Sequence, residues 1–431
     1  MIHPQNTHEL NYLGSRDKIV NVHLSHDRDY LEALPLKIKL VIEKRGLVTP
    51  SGNKVNFCGV ILIEDSIYAF FPRKTIFINN RHNISVLIKT IRKYHALFSS
   101  PLTSDDDGAE MIGVDRLSLI TALLEDYSIN GIYSERQSYK TTNSGKPNWS
   151  RTINRQSPVS SGGNLVYLDF ESQMRRYNTD SEISKIHSYI IKSIDHNYGQ
   201  LLFGKQRFNE HHIAQPISVD DKYLIMKLKK GLSKVYSDRD IWLLRSLIEL
   251  LMKTHDDKQT DEVIGVKHFH YVWEYMLSRV IPGELPLNSK LPIPTYKTES
   301  GSFLDCPQKG QRTDIIISDT HKTRIAVIDA KYYDTSNISG APGWPDLVKQ
   351  FFYARAVKSI FPSAIIRNYF IFPGTKPFLK SAHMKSRKNL SLLDAEYGVI
   401  ECTYLCPAKV MDAFNKNSKL YDLEEVFLRS S

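Results

Sequence analysis

Apolar and polar positions follow two periods along this chain, and the periods change region by region. Residues 36–42 alternate Leu, Lys, Ile, Lys and Leu before Val41 and Ile42. Residues 54–63 end in Val60-Ile61-Leu62-Ile63 after a Pro50-Ser51-Gly52-Asn53 turn, and residues 66–72 follow Glu64-Asp65. Alternation bounded by turn residues predicts a three-stranded meander. The polar, His- and Asn-rich stretch up to about Asp29 reads as a leader or an edge strand. Residues 86–97 switch to helical spacing and leave Lys89, Arg92 and Lys93 for solvent. After a polar linker at 99–110, a second helix is predicted over 115–127, with Leu117, Ile120, Leu123 and Leu124 on one stripe.

The next stretch is rich in Ser, Asn, Arg, Lys and Gly. Asn148 is placed to N-cap a short helix that carries Trp149, Arg151 and Arg155, and a strand is predicted at 164–168. Helix, turn, short basic helix and strand would be a winged-helix-like arrangement, with Lys146, Trp149, Arg151 and Arg155 as DNA-binding candidates. The same residues also suit a solvated connector. From 181 to 258 the period is helical, with stripes at Ile183, Ile186, Ile190 and Ile194 and at Ile241, Leu244, Leu247, Ile248 and Leu251.

Beyond residue 260 the predicted order is a helix at 267–280, an extended run at 292–303, strands at 313–318 and 324–331, a helix at 345–360, and strands at 368–373 and 398–405. That order predicts an α/β domain, one mixed sheet flanked by helices. Four regions follow: a β-rich N-terminal region at 1–100, a candidate for DNA recognition; a basic, winged-helix-like region at 110–175; a helical connector at 176–260; and the α/β domain at 261–431.

Charge narrows the partner. The chain has 431 residues, a net charge of +10 and a pI near 9.1, which is compatible with a polyanion such as double-stranded DNA. Four cysteines do not make a disulfide framework, and the Cys402/Cys406 spacing lacks the further ligands of a zinc site. The first residues lack the basic and apolar parts of a secretory signal, and no run of 18 apolar residues occurs. The expectation is a cytoplasmic bacterial protein with no membrane partner. Ser144-Gly145-Lys146-Pro147 fails the phosphate-loop pattern, so no nucleotide is expected on this chain. His211-His212 and His268/His270 lack carboxylates at metal spacing and read as structural or surface residues.

The candidate chemistry lies in the two β-branched runs after residue 312. Asp314 stands near the start of the first, and the second ends in Asp329-Ala330-Lys331. Period two puts Asp329 and Lys331 on one side, and pairing of the strands would bring Asp314 to them. Two carboxylates and an ammonium on one face suit a divalent cation and a phosphate. Charged ends of solvated strands are the plainer alternative. Mg²⁺, or Mn²⁺ in its place, would be held by Asp314, Asp329 and the Ala330 carbonyl, with Lys331 acting on water or developing charge. Glu274 sits among apolar neighbours on the preceding helix, which marks it as a candidate for the site, with a solvated helix face as the plainer alternative. Gln350 and Tyr353 are one turn apart on the later helix and can both face the sheet, in the site or as ordinary helix packing. Lys349, Arg355 and Lys358 read as surface charges, with phosphate contact open to some of them.

This order and these residues resemble the PD-(D/E)xK nuclease superfamily, with Thr313 in place of the proline and Asp329 as the second acid. The stretches AVIDAKY (326–332), WPDLVKQFFYARA (344–356) and SGKPNWSRTI (144–153) resemble the LlaJI-type restriction endonucleases and the related McrC nuclease subunit. The resemblance implies a metal or supporting role for Glu274 and a catalytic-site glutamine at Gln350. It also implies a Mg-dependent DNA endonuclease, the cleavage subunit of a bacterial restriction system. The implied partners are a McrB-like AAA+ GTPase that binds any GTP and a cognate DNA methyltransferase. Two alternatives stand beside it: a repair or mobile-element nuclease, and a DNA-binding regulator of an NTPase motor with a silent nuclease fold.

Overall fold

The apolar run Cys58–Ile63 lies inside a five-stranded sheet, and one of its neighbours arrives two hundred residues later. The strand order is Asn21–His26, Ser66–Phe71, Cys58–Ile63, Asp261–Val266, Met111–Ile112. All six residues of Cys58–Ile63 are buried, which accounts for a continuous apolar run rather than an alternating one. Gly59 faces Gly265 across the antiparallel pair. A Cβ on Gly59 would lie 2.2 Å from the Ile264 carbonyl oxygen and 2.7 Å from the Phe57 ring, so the close approach needs glycine.

The computed structural model describes residues 21–63, 66–76, 80–98, 109–203, 205–209, 212–256, 261–307 and 310–429. The expected leader up to residue 20, most of the 99–110 linker and His211 lie outside the described residues. Asn21–His26 is an edge strand, parallel to Ser66–Phe71. The strand expected at 36–42 is instead the helix Leu36–Lys44. Ile38, Val41 and Ile42 are buried, whereas Leu36 and Leu40 are exposed. The i, i+3, i+4 stripe therefore decides the period, and Pro35 opens the helix.

The described residues fall into two compact units. Those within Asp115–Thr260 form one, and those within Lys18–Val114 and Asp261–Ser431 form the other. This grouping runs across the boundary read from the sequence near residue 100. The early helix Asn80–Phe98 is latched to the late helix Pro407–Asn415: Lys93 donates to the Phe414 carbonyl and to Asn417 Oδ1, and Asn415 Nδ2 donates to the Val86 carbonyl at 3.0 Å.

In the same unit, a second five-stranded sheet has the order Ile315–Ser318, Arg324–Ala330, Ile365–Pro373, Ile400–Leu405, Ser381–Ala382. The first pair is antiparallel, the next two are parallel, and the last is antiparallel. The helix Trp344–Ile360 crosses between the parallel strands Arg324–Ala330 and Ile365–Pro373. Its Tyr353, Ala356 and Val357 pack with Ile316, Ile325 and Val327.

In the Asp115–Thr260 unit, Asn148 caps the short helix Trp149–Arg155, its side chain accepting from Arg151 N at 3.1 Å. The eight-residue strand Glu135–Thr142 separates this helix from the preceding one, where the sequence suggested a turn. It pairs antiparallel with Glu171–Asn178. The helices Glu182–Ile194, Asp221–Leu232 and Asp238–Asp256 bury the expected Ile186, Ile190, Ile194, Leu244, Leu247, Ile248 and Leu251. Among the described residues, no helix is long and apolar enough to cross a membrane.

Candidate active site

Asp314 precedes the strand Ile315–Ser318, and Asp329 lies near the end of Arg324–Ala330. Their strands pair Ile315 with Ile328, so the antiparallel register carries Asp314 towards Asp329. Asp314 Oδ2 accepts a hydrogen bond from Ala330 N at 2.8 Å, which ties the two strand ends together. Asn288 fixes the approach to Asp314. Its Oδ1 accepts from Thr313 N and Thr313 Oγ1 at 3.0 and 2.8 Å, and its Nδ2 donates to the Thr313 carbonyl at 3.0 Å. Lys331 Nζ stands 2.6 Å from Asp329 Oδ2 and 2.9 Å from Asp346 Oδ1. Asp346 also accepts from Tyr333 Oη and from Gly343 N, at the start of the Trp344–Ile360 helix.

These groups open into a cavity of about 720 Å³ lined by Glu274, Arg312, Asp314, Asp329, Ala330, Lys331, Lys349 and Tyr353, among others. The carboxylates press on one another. Burial, Asp329 and Glu274 push Asp314 well above the usual carboxylate range. Burial and Asp329 raise Glu274 against the pull of Arg312, and Glu274 is hydrogen-bonded to Asp314. Burial raises Asp329 too, with Lys331 opposing it. For Lys331, burial pushes downward, but Asp329 and Asp346 hold the ammonium above its ordinary range. Three buried acids, two of them raised further by Asp329, share one cavity and have the donor chemistry of a hard divalent cation, whose charge would relieve them. Among the described residues, no three His, Cys, Asp or Glu stand in the arrangement of an assembled metal centre. Asp329 Oδ2 is turned to Lys331, and Asp314 Oδ2 to a backbone amide.

The family model of the LlaJI restriction endonucleases matches residues 57–395 of this sequence. The chain belongs to the LlaJI restriction endonuclease family. It is thereby a nuclease of a restriction system. The component YdjA of the type II restriction enzyme BsuMI from Bacillus subtilis is 25% identical over 353 residues, covering 75% of this chain and 74% of that protein. Among solved structures, an assembly of Thermococcus gammatolerans McrB AAA+ hexamers with bound McrC matches 93% of this chain and 100% of that one at 14% identity and a TM-score of 0.37. The McrBC complex of the same organism matches 54% of this chain and 79% of that one, at 14% identity and a TM-score of 0.21.

In this LlaJI-family chain, Asp314, Asp329, Ala330, Lys331 and Glu274 line one cavity, and Tyr353 joins them. Gln350 does not. It is fully buried beneath the sheet, where its Nε2 donates to the Val327 carbonyl at 2.8 Å and the Tyr369 carbonyl at 3.4 Å. It clasps two neighbouring strands, one of which carries Asp329. Lys146, Trp149 and Arg155 are exposed on the other unit, but the Arg151 Nε is 3.1 Å from Glu171 Oε2. That pairing spends Arg151 on holding its helix to the Glu171–Asn178 strand. Cys402 and Cys406 are free thiols. His270, read as structural or surface, lines the cavity, and burial lowers it to about 4. Sequence reasoning missed Asp346, whose place at a helix start reads as a cap. It also missed Arg28, Lys54 and Arg73, which line the cavity from the first hundred residues.

Proposed function

We propose that this chain hydrolyses DNA phosphodiester bonds with Mg²⁺, as the cleavage subunit of a bacterial restriction system. The observation that carries this reading is the meeting of Asp314, Asp329 and Lys331 on two paired strand ends, with Glu274 in the same cavity. The mixed sheet with a crossing helix supports a PD-(D/E)xK nuclease domain. Asp314, Asp329 and the Ala330 carbonyl would hold the cation, with Glu274 beside them. When bound, Mg²⁺ or Mn²⁺ polarises the phosphate and lowers the pKa of coordinated water. Lys331 stays protonated between Asp329 and Asp346, so it donates hydrogen bonds and meets charge that develops on the phosphate. Tyr353 stays neutral, since burial and the nearby Asp314 and Asp329 raise its hydroxyl.

Opening of DNA and any GTP hydrolysis are assigned to a separate McrB-like AAA+ GTPase, because this sequence has no phosphate-loop signature of its own. A DNA methyltransferase of the same system would protect the host. Lys146, Trp149 and Arg155, exposed around one short helix, are the DNA-reading candidates in a winged-helix-like element. Plasmid cleavage with Mg²⁺, the AAA+ partner and GTP tests the reading. Lys331→Ala should slow cutting by about 10²–10³. Full activity in Lys331→Ala would remove the assigned site, and a wild type that never cuts would favour the regulator with a silent nuclease fold.

A further inference from the structure

The catalytic cavity does not end at the carboxylates. Arg28, Lys54 and Arg73 line it, and Arg28 and Arg73 also line a second cavity of about 730 Å³. The walls of the second cavity include Lys74, Thr75, Lys376 and Phe378. Two cavities of one unit therefore meet at a pair of arginines. Arg73 is held against the residue that follows the catalytic lysine. Its backbone N donates to Tyr332 Oη at 2.9 Å and its Nη1 to the Tyr332 carbonyl at 3.2 Å. Its Nε is buried without a hydrogen-bond partner among the described residues. Arg28 takes a left-handed backbone, φ 72°, unusual for a side chain of its size. Its Nε lies 3.6 Å from the buried Asp27, which leaves the rest of the guanidinium at the junction.

Charge says what fits. The catalytic cavity has cations at Arg28, Lys54, Arg73, Arg312, Lys331 and Lys349 against the carboxylates Glu274, Asp314 and Asp329. In the second cavity Lys74 is paired with Asp334 at 3.2 Å, Asp27 and Asp29 also line the wall, and Lys376 is exposed. Beside Lys376, Phe378 is 55% exposed, an apolar ring on the cavity wall. A duplex shows such a wall only phosphates and paired edges. An unpaired base offers a ring face that an aromatic side chain can stack on.

We propose that the two cavities form one track for a single nucleic-acid strand. Arg28 and Arg73 hold the phosphate next to the one that is cut. Beyond them the strand runs past Lys74 and Lys376 and rests an unpaired base on Phe378. This rests on the nuclease reading for its direction, because the cut phosphate is placed at Asp314, Asp329 and Lys331. The strand must then be parted from its complement on one side of the cut.

The test measures binding of a short fluorescent oligothymidylate, and of a blunt duplex of equal length, to the full chain in EDTA. Both substituted residues are exposed, so the variants should fold. Phe378→Ala should weaken oligothymidylate binding about 10-fold with the salt dependence unchanged. Lys376→Ala should also weaken it and flatten the log–log salt slope by about 0.7. The duplex should lose less in both variants. Wild-type affinity in both variants, equal losses on duplex and oligothymidylate, or a wild type that does not bind oligothymidylate would each overturn the track. No cleavage is needed for the readout. Loss of oligothymidylate binding in a protein that never cuts plasmid would keep the track and reject the nuclease reading. Normal binding by Phe378→Ala, where Lys331→Ala abolishes cutting, would reject the track alone.

Discussion

Each unit keeps a carboxylate against a cation, and the two arrangements differ in kind. In the Asp115–Thr260 unit, Asp126 meets Arg239 as a fork on a fork, Nε to Oδ1 at 3.0 Å and Nη2 to Oδ2 at 2.9 Å. Both oxygens are used and the charges cancel. In the other unit, Lys331 is shared by Asp329 and Asp346, while Asp314 and Glu274 lean on each other. Acids outnumber the cation that touches them, and their pKa values rise. A closed pair stabilises a fold and offers nothing to a ligand. An open cluster strains the fold and has capacity left for one. Strong mutual perturbation in a cavity, rather than the presence of an ion pair, separates a site from a brace.

Four experiments would break or sharpen that contrast. The largest effect is expected for Asp329→Ala, which should cut the plasmid-cleavage rate by about 10³ or more while thermal unfolding stays nearly level, since a carboxylate disfavoured by burial is removed and Lys331 keeps Asp346 as its partner. Loss of both activity and stability would make Asp329 a brace instead. Asp126→Ala should behave in the opposite way: unfolding free energy falls by about 2 kcal/mol, discounted for the partial exposure of Arg239, and cleavage per folded molecule is kept. A denaturant melt paired with a cleavage assay reads both.

Acid should separate the units next. Burial lowers His187 to about 3, and its Nδ1 accepts from Tyr133 N at 2.9 Å. The unfolded chain takes up that proton below about pH 6.5 and the folded unit does not, so stability falls with falling pH. Asp27 is the reverse case. Burial raises it to about 6, so the folded state takes the proton first and gains stability as pH falls through about 6 towards its unfolded value. From about pH 7 to pH 5 the His187 unit should lose about 2 kcal/mol from this group, and the Asp27 unit should gain about 1 kcal/mol. His187→Gln and Asp27→Asn should each flatten their own trend in pH-dependent melts. The smallest effect is expected at Arg155→Ala, which should flatten the log–log salt dependence of duplex binding by about 0.9 and leave Mg²⁺ affinity unchanged. Titrations at several salt concentrations check it.

Local chemistry was legible in the sequence where neighbours in sequence decide it. Asp329 and Lys331 project together because a strand has period two. Asn148 caps its helix because a short polar side chain does so in any protein. Residues 36–42 misled because Leu, Lys, Ile, Lys and Leu fit a strand, and only burial at Ile38, Val41 and Ile42 selects the helix. Gln350 was legible as facing the sheet, but a glutamine amide can hold a ligand or two backbone carbonyls, and pattern does not choose between them. Arg28 and Arg73 carry no local signal. Their place at the cavity depends on Asp261–Val266 pairing with Cys58–Ile63, a contact that no short window of sequence contains.

That pairing has a consequence for how the protein is made. The sheet begun by residues 21–71 lacks its neighbour until Asp261–Val266 has been synthesised, and Met111–Ile112 also joins it through that strand. At about 5–20 residues per second, the ribosome needs roughly 10–40 s to pass through the intervening segment. During that interval Cys58–Ile63, paired on one side with Ser66–Phe71, presents an unpaired apolar edge on the other. The nascent chain must be shielded for that time, and release of a truncated chain ending before residue 261 would leave the edge exposed to other copies. Expression yield should therefore drop more sharply for truncations just before Asp261 than for those after Val266.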